Sequence, residues 1–172
     1  MLETLGRPQD KTPPVIHISG TNGKGSTLAF LQAMFEAAGK KVHKFTGPHL
    51  IHPRERIVVS GHEIGDDYFL DLIGRIGSLD SLSRFETMTA AAFMAFAENE
   101  ADVVLLETGL GGAGDATNVV ESPAVTLISR ISLDHQRLLG NTLPEIARQK
   151  AGIMRRNVSC VVGAQFSGVT EK

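Results

Sequence analysis

Tryptophan is absent from the 172 residues, tyrosine and cysteine occur once each, and the formal charge is nearly balanced at −2. Each scarcity excludes something. The lone cysteine, Cys160, cannot close an internal disulfide, and between Ser159 and Val161 it reads as a small apolar packing group. Basic residues are scattered and have almost no aromatic partners, which leaves no electrostatic footprint for nucleic acid. No stretch approaches the roughly 20 continuous apolar residues of a membrane helix, and the polar residues 1–11 do not form a signal peptide. The default expectation is a cytoplasmic protein with no membrane partner. Internal repeats and low-complexity segments are also missing. What remains is a globular composition, 42% hydrophobic and 21% charged, in a length that suits one domain with a substantial core.

The chain is organised around residues 15–38. Val15, Ile16, His17 and Ile18 form a short, largely β-branched run; Gly20, Gly23 and Gly25 follow within a few residues; then Leu28, Leu31, Met34 and Phe35 recur at helical spacing as one apolar side. Strand, glycine-rich turn and helix in that order bring turn N–H groups and the positive end of a helix dipole to one point, where Lys24 adds a full charge. A polyphosphate is the natural occupant. The spacing departs from G-x-x-x-x-G-K-[ST], because Gly25 follows Lys24 and moves the hydroxyl to Ser26 or Thr27.

The remaining pattern is that of an α/β protein. Leu2 and Leu5 read as the tail of a helix before Pro13-Pro14. Residues 41–45 read as a second strand, 46–55 as a polar loop, and 56–64 as a hairpin turning at Ser60-Gly61. Helical periodicity covers 67–77 and 85–98. Residues 102–107, DVVLLE, are a strand apolar enough to be covered on both faces, and 124–131 a second one. A helix over 143–150 and a last strand over 158–162 complete the series. The tail 165–172 reads as a cut end. The fold expected is a P-loop NTPase-like, mostly parallel sheet flanked by helices, truncated at its end.

In such a sheet, ligands bind outside the carboxyl ends of the strands. Lys24, Glu107 and the Asp134-His135 pair each follow a different strand at that edge. A carboxylate and an imidazole beside a triphosphate are candidate Mg²⁺ ligands. Each also has a plainer reading, as a solvated rim carboxylate and a capping or core histidine. His43, His49, His52 and His62 match no tetrahedral zinc spacing.

Seven motifs, IHISGTNGKGST, TGPHL…ERI, FETMTAAAFMAFA, VVLLETGLGG, DATN, LDHQRLLG and KAGI, stand in the order in which they occur in folylpolyglutamate and dihydrofolate synthases. The sequence resembles that Mur-ligase-like family over about residues 1–163. The resemblance implies a fold of the Mur-ligase central-domain type and an ATP- and Mg²⁺-dependent amide ligase. In it, the carboxylate of dihydropteroate or folate takes the γ-phosphoryl of ATP, and the glutamate amine displaces phosphate. Carried over by motif, Gly20, Thr21, Asn22, Gly23, Lys24, Gly25, Ser26 and Thr27 would hold ATP, and Ser26, Glu107 and His135 the magnesium. Lys24, His135 and Lys150 would serve catalysis, Lys150 as a carbamylated lysine, and Pro48, His49, Asp115, Thr117 and Asn118 would face the pterin.

Departures from the family pattern fall at this same edge. Gly47 replaces the serine of T-S-P-H-L, Ala113-Gly114 replaces Arg-Leu, and Gln149 replaces Glu. Gly47 removes a magnesium oxygen, and Ala113-Gly114 removes a cation and adds flexibility. The expected organisation is one incomplete N-terminal ATP-binding domain, residues 1–172, without the C-terminal ligase domain, inactive by itself and able to self-associate through the truncated surface. The alternatives are a non-catalytic nucleotide-binding or interaction module derived from such a ligase, and another P-loop enzyme. A small kinase would lack an evident acceptor base and lid here, and a peptidoglycan ligase a UDP-binding domain.

Overall fold

The computed structural model describes residues 2–77, 82–166 and 169. A seven-stranded sheet carries the order β4-β3-β2-β5-β1-β6-β7. Its strands are β1 (Val15–Ser19), β2 (Val42–Phe45), β3 (Ile57–Val59), β4 (His62–Glu63), β5 (Val103–Glu107), β6 (Val125–Ile128) and β7 (Cys160–Val162). The five strands from β2 to β7 in that order run parallel, and the β3–β4 hairpin adds an antiparallel edge. The hairpin turns where expected, with Ser60 at φ 49° and Gly61 at φ 87°, the doubly positive geometry that matches the twist of paired strands.

The helices are α1 (Lys24–Ala37), α2 (Asp66–Ile76), α3 (Arg84–Glu98), α4 (Gln136–Leu139) and α5 (Leu143–Ala151). β1 lies between β5 and β6 in the middle of the sheet. The chain leaves it toward β2, returns through β5, and then crosses to β6 on the opposite side. The registers Ile18↔Glu107 and Ser19↔Ile128 therefore place three carboxyl ends side by side. This reversal of strand order is what opens a crevice at a sheet edge.

β5 shows how the apolar pattern becomes two cores. Val104 and Leu106 point into one cluster with α2 and α3, while Val103 and Leu105 point into the other with Leu28 of α1. The expectation of a strand covered on both faces is met. α3 is buried at every position from Met88 to Phe96, so it is a core helix whose small alanines let it lie close to the sheet. Its start is held by a capping box in which Ser83 and Glu86 exchange hydrogen bonds at 3.2 and 2.7 Å. A third cluster joins Ile128 and Ile131 to Leu139, Ile146 and Ile153, with half-buried Cys160 packed against it as an apolar group.

Several expectations change. Residues 2–6 form turns and Pro8–Lys11 a 3-10 helix, so Leu2 and Leu5 pack on the core from a loop. On α1 only Leu28 is buried; Met34 is 66% exposed, together with Phe30 at 69%, because these two lie one turn apart on the helix face away from Leu28, Leu31 and Phe35, which pack on the core. α4 has no apolar period long enough to be read in four residues. Of the tail, only Gln165, Phe166 and Val169 are described; Gln165 accepts from Ile131 N at 2.8 Å and donates to Ser129 O at 3.0 Å, and the rest lies outside the described residues.

Phe93, fully buried in α3, is the strongest single test of this core. Phe93→Ala is expected to lower the unfolding free energy by about 3–5 kcal/mol in a denaturant titration. Thr142→Ala, which removes only the hydroxyl cap of α5, should cost about 1 kcal/mol. Equal losses would contradict the assigned burial.

Candidate active site

The glycine-rich turn is shaped by what surrounds it. A Cβ at Gly20 would lie 1.9 Å from Ser129 Oγ, so only glycine fits where β1 passes β6. Thr21 N and Asn22 N donate to Arg130 O at 2.9 and 3.1 Å. Thr21 Oγ1 donates to Ser132 O at 3.1 Å, and Asn22 Nδ2 donates to Ser132 Oγ at 2.9 Å. These two residues thus tie the turn to the segment after β6. Gly23, at φ 84°, caps α1, and Thr27 Oγ1 donates back to its carbonyl at 2.7 Å. The N–H groups of Gly23, Lys24, Gly25 and Ser26 are those that any helix start leaves for an anion.

Charge converges on the same turn. Lys24 Nζ donates to Gly20 O at 3.1 Å and stands 3.7 Å from Glu107 Oε1. Lys150 Nζ, from α5, donates to the same carbonyl at 2.9 Å. Burial, reinforced by the Lys24 charge, lowers the Lys150 pKa to about 8. Burial also pushes the Glu107 carboxyl above the usual carboxylate range, against the pull of Lys24 and of Gly47 N, which donates to Oε2 at 3.3 Å. His135 takes φ 47° at the start of α4, with its N–H on Asp134 Oδ1 at 2.8 Å and its ring exposed.

Lys24, Glu107 and His135 line one cavity of about 800 Å³, whose other walls include Gly47, Pro48, Arg56, Phe85 and Asp115. Three separate strand ends therefore do meet. Ser26 is exposed on the first turn of α1 and is not part of that lining. Among the described residues no group of three or more His, Cys, Asp or Glu gathers as a metal cage. A single buried carboxylate with a neighbouring imidazole fits Mg²⁺ carried by phosphates, which keeps most of its ligands as phosphate oxygens and water.

The segment 108–124 crosses back over β1 where a helix would otherwise lie. Its DATN residues are largely committed to holding it there. Asp115 Oδ1 accepts from Thr117 N at 3.0 Å and Thr117 Oγ1 at 2.5 Å, and Oδ2 accepts from Leu110 N at 2.7 Å. Since the Thr117 hydroxyl proton is given to Asp115, His17 Nε2, 2.9 Å away, must be the donor to that oxygen. Burial lowers the His17 pKa to about 3, so the ring stays neutral. Asn118 Nδ2 donates to Ala113 O and Gly152 O, and its Oδ1 accepts from Arg155 at 2.6 Å. Of the expected pterin contacts, Pro48 and Asp115 line the cavity, whereas Thr117 is fully buried and Asn118 bridges two loops. Ala113 is exposed but anchored, its N–H on Gln149 O at 2.8 Å and its Cβ beside Gly152. The loosening expected at 113–114 is confined to Gly114, where a side chain would meet nothing.

Sequence reasoning gave Arg56, Phe85, Arg155 and His17 no role. Gly109 was the available signal for Phe85: a Cβ there would fall 2.4 Å from the ring, so the glycine exists to admit it. The loop carrying Pro48 and His49 is organised by Glu55, whose carboxylate accepts from Leu50 N, Ile51 N and His52 N at 2.8, 2.9 and 2.6 Å.

A glycine turn at the reversal of a parallel sheet, with cations gathered on it, is the arrangement of an α/β domain whose ligand crevice lies at the strand ends. The Mur ligase middle domain matches residues 18–162, and the chain belongs to that family. It is 44% identical over 171 residues to the dihydrofolate synthase/folylpolyglutamate synthase of Bacillus subtilis, covering 94% of this chain and 39% of the relative. It is 42% identical over 167 residues to a probable dihydrofolate synthetase of Schizosaccharomyces pombe, covering 94% and 40%. Among solved structures, a Mycobacterium tuberculosis folylpolyglutamate synthase complexed with ADP superposes with a TM-score of 0.89 at 37% identity, over 99% of this chain and 41% of that one. The E. coli FolC complex with ADP gives 0.86 at 37% identity, over 95% and 42%. The chain thus spans about two fifths of the length of these relatives.

Two titrations test this geometry. The backbone bonds to Glu55 lower its pKa from the ordinary 4.5 to about 2, so the order they give the 50–52 loop is complete above about pH 4.5 and is lost as pH falls toward 2. NMR titration should find that depressed carboxyl, and an ordinary midpoint would refute the clasp. Lys150 has the opposite consequence. Its lowered pKa means that burying the charge costs stability at neutral pH, a cost that fades as pH rises through about 8 toward 10.5. Lys150→Met should therefore melt higher than the parent at neutral pH, with the gain shrinking in alkali; a lower melting temperature throughout would contradict it.

Proposed function

We propose that this chain is the nucleotide-binding part of an ATP- and Mg²⁺-dependent carboxylate–amine ligase that joins glutamate to dihydropteroate or folate through an acyl phosphate. The observation that carries the reading is the meeting of Lys24, Lys150, Glu107 and His135 around the free N–H groups of α1. The relatives point the same way: the solved structures include a FolC complex with DHPP and ADP and an FPGS–AMPPCP–folate complex.

In this reading the α1 N–H groups hold the phosphate chain, and Lys24 exchanges its contacts with Gly20 O and Glu107 for the transferred phosphoryl group. Glu107 and His135 would hold Mg²⁺, with Ser26 in reserve on the adjacent turn, and the ion would offset the charge of the phosphates. A carboxylate acylates an amine only after its oxygen has become part of a phosphate leaving group, and neutralising charge around that transfer is most of the catalysis. Lys150, largely protonated only below about pH 8, has enough neutral amine to carry a carbamate. Pro48, Asp115 and Phe85 offer the wall for an aromatic acid.

The exposed ring of His135 marks a cavity open to water, and an acyl phosphate survives only where water is excluded. Residues 1–172 alone are accordingly expected to bind nucleotide without turning over. The lone Cys160 fits a cytoplasmic setting, and no helix among the described residues is long and apolar enough to cross a membrane.

Calorimetric titration of ATP with and without Mg²⁺, on the parent and on Lys24→Ala, tests the reading. Binding that strengthens with Mg²⁺ and weakens about 10-fold or more in the variant is expected, as for loss of a charged hydrogen bond. No binding to a folded chain would leave the interaction-module reading in its place.

A further inference from the structure

Arg56 lines the cavity, and its charge helps to hold down the Glu107 pKa without a direct ion pair. Its Nε donates to His49 Nδ1 at 3.0 Å and its guanidinium lies over the Phe85 ring, 5.8 Å from the centroid. Among the described residues neither terminal nitrogen has a hydrogen-bond or ion-pair partner. A guanidinium is a fork of paired donors, shaped to take two oxygens of one carboxylate or phosphoryl group. Here the fork is held from behind by an imidazole and a ring, on the wall of the cavity that Lys24 and Glu107 also line.

Gly47 leaves room for it. A Cβ built on Gly47 would fall 2.8 Å from Arg56 Nη1 and 3.3 Å from Cζ, so the guanidinium occupies the room that any side chain at 47 would claim. Gly47 also places its N–H on Glu107, so the same glycine fixes the carboxylate and admits the cation. A serine at position 47, expected from sequence to strengthen the metal site, would have to displace Arg56.

We propose that Arg56 is a binding residue of this site, clamping the oxyanion of one reactant, and that Gly47 is the specificity element that lets it do so. The inference rests on the ligase reading above, and deepens it by naming the group that the second face of the cavity recognises. The oxyanion is either the carboxylate of the aromatic acid or the terminal phosphoryl group of the nucleotide; both present two oxygens to a fork.

Calorimetry with ADP, AMPPCP and pteroate, all with Mg²⁺, separates the sources. In Arg56→Gln, affinity for either pteroate or AMPPCP should fall about 10-fold or more, while ADP stays within about 2-fold. Loss confined to pteroate assigns the carboxylate, and loss confined to AMPPCP assigns the phosphoryl group. Arg56→Lys, which keeps the charge without the fork, should recover part of the loss. Gly47→Ser should weaken the same ligand, and the double variant should lose no more than Arg56→Gln alone, because both changes remove one contact. Unchanged affinities for pteroate and AMPPCP in Arg56→Gln, in a chain that binds ADP through Lys24, overturn the clamp and leave the ligase reading standing. Additive losses in the double variant overturn the role of Gly47. A parent that binds none of the three probes overturns both readings together; equal unfolding midpoints for all variants exclude a folding cause.

Discussion

Two ammonium groups donate to one backbone carbonyl. Lys24, from the helix that follows β1, and Lys150, from a helix more than a hundred residues later, both bond Gly20 O, at 3.1 and 2.9 Å. Like charges do not share an acceptor in a buried place without something to hold them there. The sheet reversal brings β5 and β6 to either side of β1, burial and Lys24 weaken the Lys150 charge, and Glu107 returns a negative one. Asp134 and Asp115 also act on Lys150. Two cations beside the free N–H groups of α1 are what support reading the turn as a phosphate site rather than a structural bend.

The rest of the fold can be understood as support for that point. α3, buried along nine successive positions, makes the sheet behind it rigid. The 108–124 segment covers β1 with a hydrogen-bonded lattice of Asp115, Thr117, His17 and Asn118, and this lattice fixes the cavity wall at Asp115. Thr117 and Asn118, which the motif resemblance would hand to substrate, spend their polar groups on the scaffold. Polar residues in a loop without regular structure must satisfy backbone groups that a helix would have satisfied internally.

The departures at positions 47 and 113 are also settled by packing. Ala113 lies close enough to Gly152 that only glycine fits at 152, and Gly47 leaves a space that Arg56 fills.

By itself the sequence determined the local periods and turn chemistry. DVVLLE had to be a strand with two dry faces, Ser60-Gly61 had to turn a hairpin, and G-T-N-G-K-G before an apolar helical pattern had to be a turn between strand and helix. Those follow from neighbours in the chain. Which residues among Glu107, His135, Lys150, Arg56 and Thr117 face one another was not written there, since their separations along the chain run to tens of residues. Nor was the exposure of Met34, which depends on which face of α1 meets the sheet. Only the tertiary structure decided them, because contact, burial and the charge each group can keep are properties of the packed surroundings.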